Sequence, residues 1–228
     1  MHAADRIAEA TGYRFRNNDL LKQALTHPSD HLAPAHYERL EFLGDAVLGL
    51  AVSELLYTRY PEEREGALAK RRAALVCGNS LAVVARSIGL GELLSMGEGE
   101  IQSGGRDNDT NLENAMEALF GAIYLDGGWE HAHSLAQQLF APYAESMLAP
   151  PKDPKTRLQE WIQAQGHAVP HYRVLAKEGP AHAPFFTMEV SIAGGHRASG
   201  TGTSKREAER EAASALLTQL GIEDDHDQ

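Results

Sequence analysis

The stretch from Glu38 to Leu50, Glu-Arg-Leu-Glu-Phe-Leu-Gly-Asp-Ala-Val-Leu-Gly-Leu, constrains the fold more than any other part of the chain. At 100° per residue on a helix, Glu38, Glu41 and Asp45 fall within an arc of about 60°. Leu40, Leu43, Val47, Leu48 and Leu50 spread over most of the remaining circumference. A helix apolar nearly all round is expected to be buried, yet this one carries three carboxylates in one narrow stripe. An arbitrary acidic stripe is most simply a solvated strip. Here Phe42 and Gly49 flank it, where a solvated face would carry Lys, Glu or Gln. Like charges at i, i+3 and i+7 also repel one another, and a hard cation such as Mg²⁺, which takes carboxylate oxygens and keeps several waters, removes that repulsion. The residues alone leave both readings open.

The 228 residues have room for one large domain or two modest ones. The lone Cys77 excludes an internal disulfide, fits a reducing cytoplasm, and is expected to be a small buried thiol. No long apolar run follows Met1–Arg6, so no signal peptide is expected, and no window approaches the length of a membrane span. The formal net charge of −11 argues by itself against nucleic-acid binding. Its distribution matters more. Residues 1–152 set 13 basic against 21 acidic side chains, residues 153–221 set 8 against 7, and residues 222–228 add four acidic ones. The second segment can therefore hold a local basic patch.

Helical patterns run through the first part: a helix, a turn and a second helix over 5–26, with Asn17-Asn18-Asp19 as the N-cap. The acidic-stripe helix spans about Tyr37–Tyr60, followed by Ala67–Val76 with Lys70, Arg71 and Arg72 outward, and by Ser80–Ile88. A glycine-rich loop from Gly97 to Gly105, a helix from about Asn111 to Asp126, and an amphipathic segment from Trp129 to Met147 complete it. His27, His31 and His36 share no helical register, because Pro28 and Pro34 interrupt it, so a zinc site is not expected. No strand pattern appears before residue 150. The chain is expected to be multidomain, with an all-α domain over 1–148, a proline-rich linker over 149–154, a second domain over 155–221 and an acidic tail over 222–228. In the second domain the order is α-β-β-β-α (α+β): a helix over Lys155–Gln165, strands at Tyr172–Leu175, Phe185–Ile192 and His196–Gly202, and a helix over Ser204–Leu220.

A second polar pair sits in an apolar helix after Thr110. Thr110-Asn111-Leu112-Glu113 has the pattern of a capping box, which accounts for Glu113 as a helix-start residue. Asn114 and Glu117 are left at i, i+3 on one face among Leu112, Ala115, Met116, Leu119, Phe120 and Ile123.

His36-Tyr37-Glu38-Arg39-Leu40-Glu41-Phe42-Leu43-Gly44-Asp45-Ala46-Val47-Leu48 resembles the signature of ribonuclease III, the double-stranded-RNA endonucleases. Asn114-Ala115-Met116-Glu117-Ala118 resembles the family's second metal-binding motif. The second segment resembles a double-stranded-RNA-binding domain through Leu158-Gln159-Glu160, Gly179-Pro180-Ala181-His182 and Gly202 to Glu209. The resemblance implies metal ligation by Glu41, Asp45, Asn114 and Glu117, with Asp45 and Glu117 catalytic and Glu38 and Glu65 supporting. Asn114 stands where many members have aspartate, although asparagine also occurs; it keeps an oxygen ligand and loses a charge. Carboxylates cannot stabilise the negative charge of phosphodiester hydrolysis directly, but they can hold Mg²⁺ (or Mn²⁺), which does.

The resemblance further implies that Arg106, in a loop facing RNA, contacts phosphate. Gln159, Glu160, Gln163 and His182 would face the minor grooves of an A-form duplex, and Lys205 and Arg206 its phosphates. Ala183 and Pro184 replace basic residues found in many members. A cytoplasmic homodimer is implied, with two sites at a twofold interface each cutting one strand and Phe42 packing into the partner. The products would carry 5′-phosphates and 3′-hydroxyls with staggered ends, from ribosomal and other structured RNAs. From the residues alone, an inward core role for Phe42 is equally open. The alternative is a catalytically silent double-stranded-RNA-binding protein; Asn114 alone points there, and retention of Glu38, Glu41, Asp45, Glu65 and Glu117 points away.

Overall fold

The computed structural model describes residues 2–151, 153–180 and 183–222. The chain divides into two compact units at Pro150/Pro151. The first is helical: α1 (Ala3–Thr11), α2 (Asn18–Ala24), α3 (Glu38–Arg59), α4 (Glu65–Leu75), α5 (Gly78–Ser87), α6 (Glu98–Gln102), α7 (Asp109–Gly127) and α8 (Trp129–Ser146). Asn17 caps α2 as expected, its side chain accepting from the Asp19 N–H at 2.9 Å. The expected Gly97–Gly105 loop contains the short helix α6, and α4 begins at Glu65, earlier than its apolar pattern.

The core is built around α3 and α7. Leu40, Val47, Leu48, Ala51, Val52, Leu55 and Leu56 of α3 are buried against Leu112, Ala115, Met116, Leu119, Phe120 and Ile123 of α7 and against α8. Each large side chain so buried contributes roughly 1.5–3 kcal/mol. Burial of α3 is nevertheless incomplete. Phe42 is 84% exposed, Leu50 58% and Tyr57 75%, and with Ala46 they form a second, apolar stripe about 80° wide that no element of the described residues covers. The expectation of an all-round buried helix is corrected to that extent, and the core role for Phe42 with it.

Two side chains lie opposite to expectation. Arg71 points inward and is 2% exposed. Its guanidinium forks onto the Glu63 carboxylate at 2.7–3.1 Å, donates to the Met147 carbonyl at 2.6 Å and lies 3.9 Å over the Tyr60 ring. The planar fork satisfies itself where the ends of α3, α4 and α8 meet, which makes burial of the charge tolerable. Arg71→Ala strands Glu63 and the Met147 carbonyl, so a loss of about 3–5 kcal/mol is expected in chemical denaturation. Arg71→Met, which refills the space, should lose less. Cys77 is exposed, not buried; it lies beside the Ala74 carbonyl and Ser80 hydroxyl at the start of α5.

The second unit is α9 (Pro154–Ala164), the antiparallel sheet β1 (His171–Glu178), β2 (Phe185–Ser191) and β3 (Arg197–Gly202) in the order β1-β2-β3, and α10 (Lys205–Gln219). Leu158 and Ile162 of α9 join Val190, Ala198, Ala212, Ala213, Leu216 and Leu217 in its core. Gly200 permits this packing, because a Cβ there would lie 2.1 Å from the Ala212 nitrogen. Among the described residues no helix is long and apolar enough to cross a membrane.

Candidate active site

Two glycines bring the acidic stripes together. A Cβ on Gly44 of α3 would lie 1.7 Å from the Glu117 carbonyl oxygen, and one on Gly121 of α7 would lie 2.3 Å from the Leu40 carbonyl oxygen. Without side chains at these points the two helices cross backbone to backbone. Glu41 and Asp45 on α3 then flank the same crossing as Glu117 on α7.

Electrostatics records that convergence. Glu117 is half-buried, and its pKa is pushed from 4.5 up to about 7, first by desolvation and then by Asp45, Glu113 and Glu41. Glu41 is raised by desolvation, then by Glu38 and Glu113; Glu113 is raised by desolvation, then by Asp45. Tyr37, buried beside this group, has its pKa pushed up to about 12, mainly by burial, with Asn114 and Glu41 both acting on its hydroxyl.

Glu113 was not expected in this group. The capping box at Thr110 does not form: α7 starts at Asp109, and the Asn108 side chain caps it, accepting from the Asn111 N–H at 3.2 Å. Freed of a capping role, Glu113 lies about one turn before Glu117, and the Asp45 charge acts on it. The signal available in the sequence was its i, i+4 spacing to Glu117, which the capping pattern masked.

The donor set is carboxylate oxygens with one amide oxygen, the chemistry of a hard cation site. Among the described residues no three His, Cys, Asp or Glu side chains close round a point tightly enough to enclose an ion by themselves. Mg²⁺ does not require such a cage, since it keeps several waters and uses one or two direct carboxylates. The repulsion that raises Glu117 is what a bound cation would relieve. Glu38 is exposed at the edge of the group, beside Glu41. Glu65 is not brought to it: exposed at the first position of α4, it lines a separate hollow with Leu50, Ser53, Tyr57 and Arg72.

Arg106 is a brace. Its Nη1 donates to the Gly91 and Glu92 carbonyls at 3.2 and 2.8 Å. Asn111 ties the loop to α7 by donating to Glu100 Oε1 and to the Gly105 carbonyl, while its Oδ1 meets His27 Nε2 at 3.1 Å. The exposed tip of the loop is Gln102-Ser103-Gly104.

In the second unit Gln159, Glu160 and Gln163 are exposed on α9, and Lys205 and Arg206 are exposed in the first turn of α10. Ser204 caps that helix by accepting from the Glu207 N–H, and Glu207 reaches back to the Thr203 N–H at 2.8 Å. His182 lies outside the described residues.

A family model described as Ribonuclease-III-like matches residues 17–143, and one described as Double-stranded RNA binding motif matches residues 154–220. The chain belongs to the ribonuclease III family. Ribonuclease 3 of Anaplasma marginale (strain Florida) is 51% identical over 228 residues, covering 96% of this chain and 98% of its own. Ribonuclease 3 of Wolbachia pipientis wMel is 46% identical over 222 residues, with 95% and 96% covered. The solved nuclease domain of ribonuclease III from Campylobacter jejuni is 40% identical, covers 63% of this chain and 97% of its own, and superposes with a TM-score of 0.59. The fold expected from the resemblance, a helical nuclease domain followed by an α-β-β-β-α RNA-binding domain, is borne out. As a ribonuclease III family member with that second domain, the protein is an endoribonuclease of double-stranded RNA.

Proposed function

We propose that the protein hydrolyses double-stranded RNA with the help of Mg²⁺ held at the α3–α7 crossing by Glu41, Asp45 and Glu117, with Asn114 as an oxygen ligand and Glu38 in support; Glu65, which lies in a separate hollow, is left out of this site. The observation that carries this is the crowding of carboxylates at a backbone-tight crossing, with Glu117 pushed up to about 7. Bound there, the cation would supply Lewis-acid stabilisation of the phosphoryl oxygens and make attacking water more acidic; Mn²⁺ can serve in the same way. The chain's own part is to fix the carboxylates on two rigid helices, so that little reorganisation is needed as charge develops.

The second domain holds the duplex. Gln159, Glu160, Gln163 and His182 meet the minor grooves, and Lys205 and Arg206 meet phosphates at a helix N-terminus, where the backbone dipole also favours anions. Arg106 acts mainly through the loop that it braces.

The exposed stripe of Phe42, Ala46, Leu50 and Tyr57 adjoins an apolar hollow lined by Leu43, Val47, Tyr124 and Trp129. An exposed apolar surface of this kind suits a twofold homodimer in which the same patch of two copies meets. A second solved structure of the Campylobacter jejuni nuclease domain, 40% identical with a TM-score of 0.58, concerns flexibility in a region involved in that protein's dimer formation. Two sites so arranged would each cut one strand, leaving staggered ends with 5′-phosphates and 3′-hydroxyls. Ribosomal and other structured RNAs in the cytoplasm are the expected substrates.

The test is incubation of purified protein with a long RNA duplex, a single-stranded RNA and a DNA duplex, with Mg²⁺ or with EDTA. Only the RNA duplex with Mg²⁺ should be cut. Cleavage that persists in EDTA, or that favours the single strand, would sink the proposal.

A further inference from the structure

We propose that His27 is a positioning residue for cleavage: through Asn111 it clasps both ends of the Gly97–Gly105 loop and holds that loop against α7, the helix that carries Glu117. The inference rests on the function proposed above and concerns a residue outside the acidic cluster.

His27 lies on the segment between α2 and α3. Its backbone N–H donates to the Ser95 carbonyl at 2.9 Å, and Thr26 pairs with Ser95 in an isolated parallel bridge. The ring stands edge-on to the buried ring of Tyr37, with centroids 5.6 Å apart. The hydrogen bonds around the ring decide which nitrogen carries the proton. The Ser29 N–H donates to Nδ1 at 3.0 Å, so Nδ1 keeps its lone pair and the proton sits on Nε2. Nε2 then donates to Asn111 Oδ1 at 3.1 Å. Asn111 is oriented in turn, because its Nδ2 donates to Glu100 Oε1 at 2.8 Å and to the Gly105 carbonyl at 3.0 Å. Donors thus point one way along Ser29, His27 and Asn111, and the chain ends on the Glu100 carboxylate.

This chain closes the base of the loop. At the entry, the Gly97 N–H donates to Ser29 Oγ at 3.0 Å, and that hydroxyl donates to His27 Nδ1 at 2.8 Å. A Cβ on Gly97 would lie 2.5 Å from the Ser29 carbonyl oxygen, so the two backbones touch. At the exit, the Gly105 carbonyl is held by Asn111 in the first turn of α7. His27 joins the two ends. Asn111 is only 8% exposed, so removing its ring partner leaves a buried amide oxygen unsatisfied and the whole chain free to rearrange. The exposed tip, Gln102-Ser103-Gly104, then loses its fixed place relative to the carboxylates on α7. A reacting group misplaced by about 1 Å costs on the order of a hundredfold in rate.

The experiment measures cleavage of an RNA duplex by the full chain at saturating RNA and Mg²⁺, at a temperature where circular dichroism shows the variants folded. His27→Gln offers an amide N–H near the place of Nε2. His27→Asn offers its amide only near the place of Nδ1, and His27→Phe keeps a ring with neither nitrogen. His27→Gln should cut within about threefold of the unsubstituted rate, and the other two roughly tenfold or more slower. Asn111→Asp should lose similarly, because it sets a second carboxylate against Glu100. Adding Glu100→Gln, whose amide can donate to that carboxylate, should recover most of the loss. Ser29→Ala frees the Gly97 N–H without touching Asn111 and should lose less, in the same direction. Gel-shift affinity for the duplex and the half-saturating Mg²⁺ concentration should stay within about twofold throughout.

Unchanged cleavage in folded His27→Phe, equal losses in His27→Gln and His27→Asn, or no recovery on adding Glu100→Gln each overturns the proposal and leaves these residues as packing. If His27→Phe does not fold, His27→Gln against His27→Asn decides by the same comparison. A half-saturating Mg²⁺ concentration that rises with the loss also overturns it, since the effect then runs through the cation and not through the loop. If the unsubstituted chain itself fails to cut the duplex with Mg²⁺, the function proposed above falls and this inference with it; if it cuts and the variants behave otherwise than stated, only this inference falls.

Discussion

Glu117→Gln should abolish cleavage of duplex RNA, lowering the rate by roughly 10²–10³-fold or more, while duplex binding stays near that of the unsubstituted chain. Asp45→Asn should do the same. Both substitutions keep the size of the side chain and remove a charge at the α3–α7 crossing, far in sequence from the α9 and α10 residues assigned to the duplex. Gel-shift and cleavage assays on the same preparations separate the two effects. Cleavage at the unsubstituted rate under limiting Mg²⁺ would remove these residues from the site.

Glu117 also makes a pH-dependent prediction. Its pKa in the fold, about 7, lies above its ordinary 4.5, so the metal-free fold favours the protonated form. The stability from that preference is fully present below pH 4.5 and is lost as pH rises through 7. At about 1.4 kcal/mol per pKa unit the ceiling is roughly 3 kcal/mol, and solvent screening at a half-buried site reduces it. In EDTA, Glu117→Gln should therefore melt above the unsubstituted chain at pH 8 and converge with it near pH 4.5. Mg²⁺ should raise the melting temperature of the unsubstituted chain at pH 8 and leave the variant nearly unmoved. Equal melting curves across this range would show that the carboxylates do not repel one another as inferred.

Gly44→Ala should be the most destabilising single-methyl change in the nuclease domain. The added carbon would lie 1.7 Å from the Glu117 carbonyl oxygen. No rotamer can relieve a contact between one backbone and another, so the helices must separate along the core they share. Overpacking in a core typically costs about 1–3 kcal/mol; here the upper end or more is expected, with cleavage lost as the carboxylates part. Gly49→Ala is the matched control on the same helix. Its Cβ would meet nothing within 4 Å, and replacing glycine by alanine in a helix stabilises by up to about 1 kcal/mol. Thermal unfolding of the two variants should move in opposite directions. A Gly44→Ala protein as stable as Gly49→Ala would mean that the helices do not cross in contact.

Periodicity alone was enough to place Glu38, Glu41 and Asp45 on one stripe, and Asn114 and Glu117 on another, because the angle between side chains on one helix depends only on residue number. The change from a 3.6-residue to a 2-residue period after Pro150 likewise separated a helical part from a sheet-containing one, and local chemistry was enough for the Asn17 cap. What no helix can encode by itself is which neighbour covers which side. Arg71 reads as an outward charge until Glu63, Tyr60 and the end of α8 converge on it, and Phe42 reads equally as core or as an interface residue until its stripe is left uncovered among the described residues. Glu113 reads as a cap until Asn108 takes that role. The sequence by itself determined the division into a helical and a sheet-containing part, the long helices and the faces on which the acidic residues lie. The tertiary structure decided that two of those faces meet, because Gly44 and Gly121 let α3 and α7 touch, and a meeting of backbones distant in sequence is written in no single period.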